Sequence, residues 1–137
     1  MTPARKLQIL LRISAFVTGL AIFPTFMPRS WMAITHQALQ LGPSFPDGPI
    51  VEYLARSLSA FYAIHGGLYW LVSRDTTRYS PVISYLAIMG LLFAFTVLYI
   101  DLHAGMPLRW TICEPTVVCA LSIAILILQR QANPSSR

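Results

Sequence analysis

The sequence predicts an all-α protein, a four-helix transmembrane bundle with both termini cytoplasmic and a short interfacial helix in the first outer loop. Three observations predict this class. Hydrophobic residues make up 55% of the 137-residue chain and charged residues only 11%, against roughly 25% charged in soluble globular proteins. The apolar residues also fall into four long runs. Such a chain could not cover a water-facing surface, and its length predicts a single membrane domain, residues 1–137.

The four apolar runs are each long enough to cross about 30 Å of hydrocarbon, which takes roughly 20 helical residues. They lie at about residues 7–23, 50–73, 81–100 and 107–128. Because lipid offers no partners to backbone amides, the runs must be helices or strands of a closed barrel, and they lack the alternation of barrel strands. Pro24 is expected to end the first span, and Pro81 and Pro107 to begin the third and fourth.

The basic residues predict the orientation, because short cytoplasmic loops retain Lys and Arg. With the N-terminus inside, seven basic residues fall on the inner face and two on the outer. The inner set is Arg5, Lys6, Arg12, Arg74, Arg78, Arg130 and Arg137. The outer set is Arg29 and Arg109, and the tenth basic residue, Arg56, lies inside the outer end of the second span. Scattered in this way, the ten Lys and Arg residues form no nucleic-acid patch despite the net charge of +5.

The N-terminal segment also resembles the start of a signal peptide, because Arg5 and Lys6 precede an apolar run. Arg12 interrupts that run, and no small-residue cleavage site precedes Pro24. An arginine near a helix end can extend its stem to reach the lipid headgroups. The segment is therefore interpreted as an uncleaved membrane anchor.

Four of the five acidic residues fall at outer span ends or in outer loops, at the depth of several cationic side chains. Acidic residues contribute little to orientation, so their concentration at one depth favours an outward-facing polar site. The candidate ligand-binding residues are Glu52, Arg56, Asp101, His103 and Glu114. The alternative, that wet helix ends simply carry charge, stays open.

The second span separates a polar stripe from an apolar face when its residues are placed about 100° apart. The stripe contains Glu52, Arg56, Ser59, Ala63 and Gly66. It is expected to face the bundle, with Ala63 and Gly67 as a small-xxx-small pair for close helix packing. Glu52 and Arg56 are four residues apart and can form a structural ion pair, or Arg56 can hold an anionic group or a second acid.

His65 lies on the opposite face of this span, beside Leu54, Leu58 and Phe61. A haem or metal ligand is conceivable, but no second histidine lies at matching depth. Contact with a neighbouring helix or a partner protein is therefore the preferred role. A metal site from Asp101, His103 and Glu114 is chemically possible, but the spacing matches no named site, so no metal and no cofactor are assigned.

The fourth span contains Glu114 before Pro115, and a kink or break is expected there, since proline removes a helical hydrogen bond. Cys113 and Cys119 are separated by about 9 Å of helical rise. That exceeds the roughly 7 Å that a disulfide permits between Cα atoms, so both are expected to be free thiols.

The first outer loop is expected to hold a helix from Trp31 to about Leu41, capped by Ser30 and lying on the membrane surface. Turns at Gly42, Pro43, Pro46, Gly48 and Pro49 would return the chain to the second span. The loop would then cover the outer polar residues, with His36 and Asp47 at its rim.

Several segments carry a resemblance to known proteins. They are YLARSLSAFYAIHGG, the turn SRDTTRYSP, YIDLHAGMP, Trp110 and the Glu114–Pro115 pair. The chain from Glu52 onward resembles a type of small bacterial four-helix integral membrane protein without an assigned activity, and is more distantly similar to DoxX-like proteins. The resemblance implies a bacterial inner-membrane location and transfers no catalytic residues.

Two functions follow as expectations. No nucleotide loop, nucleophile elbow or zinc spacing is present, which favours a protein that is not an enzyme. The first expectation is an accessory or assembly component of a membrane complex, in contact with the lipid bilayer and with a partner membrane protein or a second copy. The alternative is a lipid, quinone, ion or small-molecule binding protein that uses the outer polar residues.

Overall fold

The structure is a computed structural model that describes residues 1–42 and 44–132. Pro43, expected to turn the first loop, and Arg137, counted on the inner face, lie outside the described residues. Regular secondary structure in the described part is α-helical. The helices are α1 (Pro3–Gly19), α2 (Ile22–Phe26), α3 (Arg29–Ala38), α4 (Pro49–Val72), α5 (Ser80–Ala104) and α6 (Leu108–Ala132).

Three segments of the described chain are long and apolar enough to cross a membrane. They are Pro3–Phe26, which comprises α1 and α2, and the 25-residue helices α5 and α6. Helix α4 has 24 residues, but its composition does not meet the same standard of apolarity. Glu52, Arg56 and His65 lie along it, and charged or imidazole side chains lower its affinity for hydrocarbon.

The first helical segment ends later than expected, because Pro24 does not terminate it. Helix α1 ends at Gly19, and α2 resumes at Ile22 and contains Pro24. Pro24 lies in the first turn of α2, where a backbone N–H has no helical acceptor and its loss costs little.

Helix α3 begins two residues before the expected start, and the Ser30 cap is wrong. Pro28 occupies the N-cap position with an extended backbone, and no side chain caps the helix. Because Pro28 fixes that conformation, the helix begins at Arg29 and includes Ser30 in its first turn. It ends at Ala38, three residues before the expected end.

Helix α6 runs from Leu108 through Pro115 to Ala132 without interruption. A break at Pro115 is therefore not observed. The helix also extends past Leu128, the expected end of the fourth span, and includes the buried Gln129.

The described chain forms two compact units. Unit 1 combines Met1–Ile13 with Trp70–Arg137, and unit 2 is Ser14–Tyr69. Each unit has its own packing.

The centre of unit 1 is an antiparallel pair made by α5 and α6, joined by the short turn at residues 105–107. Gly105 ends α5 in a left-handed conformation with φ of 67°, which favours glycine because it has no Cβ. Gly90 of α5 lies against the Ser122 hydroxyl of α6. The Gln129 amide donates to the Ser84 hydroxyl at 2.9 Å. These contacts define a register in which Asp101 lies level with Thr111.

Unit 1 also contains the N-terminal part of α1, up to Ile13, and the last three residues of α4. Leu7 and Leu11 of α1 are completely buried, as are Ile83 of α5 and Ile125 of α6. The Gln8 amide donates to the Ser73 carbonyl at 3.0 Å, which satisfies a carbonyl just beyond the end of α4.

Unit 2 is organised by the close approach of α4 to the second half of α1. A Cβ on Gly66 would lie 2.7 Å from the Gly19 nitrogen and 2.8 Å from the Ala15 carbonyl oxygen. The polar stripe that contains Gly66 therefore faces a helix, as expected. The expected role of Gly67 is wrong, because a Cβ there would have no neighbour within 4 Å.

Candidate functional site

Two of the five candidate residues, Glu52 and Arg56, belong to an arginine–carboxylate network in unit 2. The network comprises Arg29, Asp47, Glu52 and Arg56. Arg29 Nη1 donates to Glu52 Oε1 at 2.9 Å, and its Nη2 pairs with Asp47. Arg56 Nη2 lies 3.6 Å from Glu52 Oε2. The Glu52–Arg56 pair expected from the four-residue spacing is present, and Arg29 extends it.

Arg56 also binds backbone, since its Nη1 donates to the Thr25 carbonyl at 2.9 Å. Thr25 lies in the last turn of α2, where carbonyl oxygens have no helical partner. The Glu52 and Arg56 side chains are each about one-third exposed. Within unit 2 the network thus connects α2, α3 and the following loop to α4, and Glu52 has a cation on each of its oxygens.

Asp101 belongs to unit 1 and is unusual for a carboxylate. It lies in the last turn of α5 and is only 5% exposed. Its Oδ2 atom is buried, and no residue of the described chain forms a hydrogen bond with it. Burial of a polar atom without a partner is unfavourable by about 1–3 kcal/mol, so a bound ligand at this oxygen would stabilise the fold.

Glu114 lies in the second turn of α6, at the same end of the α5–α6 pair as Asp101. The Trp110 indole N–H donates a hydrogen bond to the Glu114 side chain, and the Asp101 and Glu114 charges interact. The geometry follows from the α5–α6 register, which brings the end of α5 level with the first turns of α6. Two acidic groups thus lie at the same end of the α5–α6 pair, and one of them is almost fully buried.

Pro115 adds a backbone oxygen to this region. Because proline has no N–H, it cannot donate to the carbonyl of Thr111, four residues earlier. Thr111 is only 4% exposed and lies level with Asp101 in the register. Carboxylate and carbonyl oxygens therefore concentrate where α5 ends and α6 begins.

His103 contacts Tyr99, and among the described residues it forms no hydrogen bond with Asp101 or Glu114. Its Nδ1 lies 2.8 Å from the Tyr99 carbonyl oxygen, and its ring centroid is 4.0 Å from that of Tyr99. The side chain is exposed. Among residues 1–42 and 44–132, no group of three or more His, Cys, Asp or Glu side chains is arranged to share a metal ion.

His65 lies in unit 2 on the outward face of α4. Its ring makes an edge-to-face contact with Tyr69 at a centroid distance of 4.8 Å. It is partly exposed, and the nearby Phe61 and Ile64 are each 71% exposed.

Cys113 and Cys119 are free thiols, as expected from their spacing.

The structure thus brings Glu52 and Arg56 together in unit 2, and Asp101 and Glu114 together in unit 1. Sequence reasoning missed Arg29 as a partner of Glu52, because 23 residues and a loop separate them. It also missed Thr111 and Trp110 as neighbours of the acids. A helical register drawn from the short 105–107 turn could have placed Thr111 beside Asp101.

Comparison of the chain with protein-family models, with curated proteins and with solved structures gives no match.

Proposed function

We propose that the protein is an accessory or assembly component of a membrane complex, held in the bacterial inner membrane as a four-helix bundle with both termini in the cytoplasm. The seven-to-two distribution of basic residues supports the orientation. The resemblance to small bacterial four-helix membrane proteins supports the location. In this arrangement α3 lies on the outer membrane surface, with Trp31 and Ile34 exposed to the headgroup region.

Helix α4 is the second span of the proposed bundle, and it joins the three segments that are apolar enough to cross a membrane. Its 24 residues are enough to cross the bilayer. The Glu52 and Arg56 charges lie in its first two turns and pair with each other and with Arg29, so their burial at the outer end is compensated. Ser57 and Ser59 donate to carbonyls of their own helix, which further reduces the polarity that α4 presents to its surroundings.

The partly exposed imidazole of His65 on an apolar face is the single observation that carries the accessory function. Leu58 and Phe61 on this face are 56% and 71% exposed. Polar side chains facing hydrocarbon are unfavourable, and within membrane proteins they contact other helices. A transmembrane helix of a partner protein would cover the apolar side chains and accept or donate a hydrogen bond at His65.

Site-specific photo-crosslinking tests this proposal. A photoreactive residue at Phe61 is compared with one at Phe95, which is similarly exposed at 66% on α5. The Phe61 position is expected to give one defined adduct with a membrane protein that also co-purifies at fixed stoichiometry in mild detergent. The Phe95 position is expected to give only lipid adducts, and His65→Leu should reduce co-purification several-fold.

The accessory function is excluded if both positions crosslink only to lipid and native mass spectrometry shows the protein alone. If the Phe61 adduct is a second copy of this chain, the face joins identical subunits and a homo-oligomer replaces the accessory protein.

A further inference from the structure

We propose that Asp101 and Glu114, with oxygens at the junction of α5 and α6, bind a hard metal cation. The observation that points to a ligand is the Asp101 Oδ2 atom, which is buried in a side chain only 5% exposed and has no hydrogen-bond partner among the described residues. The site lies in unit 1 and does not depend on the partner contact proposed for α4.

Within residues 1–42 and 44–132, no arginine, lysine or histidine forms an ion pair with Asp101 or Glu114. The three ion pairs within the described residues, between Arg29 and Asp47, Arg29 and Glu52, and Arg56 and Glu52, all lie in unit 2. Two carboxylates in a low-dielectric environment repel each other strongly, and a buried charge without a partner is unfavourable. A bound cation would therefore stabilise the pair.

A metal cation supplies positive charge through bonds to oxygen, which are about 2.3–2.6 Å long in the case of Ca²⁺. The buried Asp101 Oδ2 atom, which has no hydrogen-bond partner among the described residues, is available as such a ligand.

The available ligands are oxygens, which determines the class of cation. Hard cations take carboxylate, carbonyl and water oxygens, whereas zinc sites use three or four Cys, His or acidic side chains. The described residues offer no such group of three. They offer the two carboxylates and the Thr111 carbonyl that Pro115 leaves without a helical hydrogen bond. The negative end of the α5 dipole at Asp101 adds to the attraction.

Two charged carboxylates favour Ca²⁺ over Na⁺, because a divalent ion neutralises both. The two ions are distinguished by thermal unfolding of the full-length protein, purified in mild detergent and washed with a chelator. The unfolding midpoint is measured with CaCl₂, with NaCl, and with choline chloride at matched ionic strength. A ligand that binds only the folded state raises the midpoint as its concentration increases.

The expected result is a rise of several degrees with CaCl₂ in the wild type and in Asp75→Asn. Asp75 is a matched control, since it is an exposed acid of unit 1 whose carboxylate accepts from the Arg78 backbone N–H. The rise should be absent in Asp101→Asn and reduced in Glu114→Gln. A rise that requires only NaCl would identify the ligand as a monovalent cation at the same site.

A second readout keeps the test valid if Asp101→Asn does not fold. Replacement of Trp31 and Trp70 by Phe leaves Trp110 as the single tryptophan, and its indole donates to Glu114. Addition of CaCl₂ should change Trp110 fluorescence with saturation, and Glu114→Gln, which keeps an oxygen acceptor, should weaken that response at least tenfold. The proposal is overturned if neither ion affects the wild type, or if Asp101→Asn and Glu114→Gln respond as the wild type does.

Discussion

Gly66 is the residue at which one added methyl group tests the packing of α4 most directly. The neighbours of a Cβ at this position are the Gly19 nitrogen at 2.7 Å and the Ala15 carbonyl at 2.8 Å. Backbone atoms cannot rotate away as side-chain ends can, so Gly66→Ala must separate α4 from α1. We expect a loss of stability of about 1–3 kcal/mol, measured by denaturant titration in detergent micelles.

Gly67 is the matched control for this substitution. It is in the same helix and one residue away, but a Cβ there would have nothing within 4 Å. Alanine is favoured over glycine in a helix by about 1 kcal/mol, so Gly67→Ala is expected to be neutral or stabilising. Equal losses for the two variants would contradict the close approach of the helices.

Predictions about single residues were correct where the partner lies in the same helix. They were less reliable where the partner lies in another helix. The Glu52–Arg56 pair follows from a four-residue spacing within α4, and it is present. The choice between Gly66 and Gly67 depends on the rotation of α4 against α1, which a difference of one residue changes by about 100°. The stripe of small residues predicted the packing side of α4, but the small-xxx-small spacing selected the wrong glycine.

The α5–α6 pair provides a test at the scale of helical elements. Gly90 lies against the hydroxyl of Ser122, so a Cβ on Gly90 would overlap that oxygen. Gly90→Ala should be milder than Gly66→Ala, because the Ser122 hydroxyl can rotate. We expect a loss of about 1 kcal/mol, within the range for overpacked positions.

The double variant Gly90→Ala with Ser122→Ala should recover this loss, because only the Ser122 Cβ would remain, at an ordinary contact distance of 3.5 Å. A double-mutant cycle of unfolding free energies measures the coupling. Additive effects of the two substitutions would mean that Gly90 and Ser122 do not face each other, and would contradict the register that brings Asp101 level with Thr111.

The helix boundaries that were predicted from proline positions agree with the structure at some prolines and differ at others. Pro81 lies in the first turn of α5, as expected, and Pro107 immediately precedes α6. Pro24 was expected to end a helix but lies in a first turn. At Pro115, where a kink or a break was expected, α6 continues without a break. Proline weakens a helix by one hydrogen bond, and packing of a long apolar helix can offset that loss.

At the scale of the whole molecule, amino-acid composition predicted the class of protein, whereas the positions of charged residues predicted less about which of them are neighbours. The high apolar content predicted a helical membrane protein, and three segments are long and apolar enough to cross a bilayer. The five candidate site residues are distributed over two compact units. Depth along a helix can be read from the sequence, but it does not reveal which residues at one depth are neighbours, since that depends on how helices pack.

The number of spans is the decisive property of the whole molecule, and α4 determines it. If α4 crosses the bilayer, the turn at Thr77 lies on the side opposite the first loop at Gln40. If only the three apolar segments cross, Thr77 and Gln40 lie on the same side. Both residues are exposed, so a cysteine at either position can react with a reagent in the surrounding water.

Cysteine labelling in whole cells should therefore distinguish four spans from three. The native thiols are first removed by Cys113→Ser and Cys119→Ser, and Gln40→Cys, Thr77→Cys or Thr2→Cys is introduced singly. With a membrane-impermeant maleimide we expect labelling of Gln40→Cys in intact cells. Labelling of Thr77→Cys and Thr2→Cys should require permeabilisation, because both would face the cytoplasm. Labelling of Thr77→Cys in intact cells together with Gln40→Cys would show that α4 does not span, and the four-helix bundle would be replaced by a three-span protein.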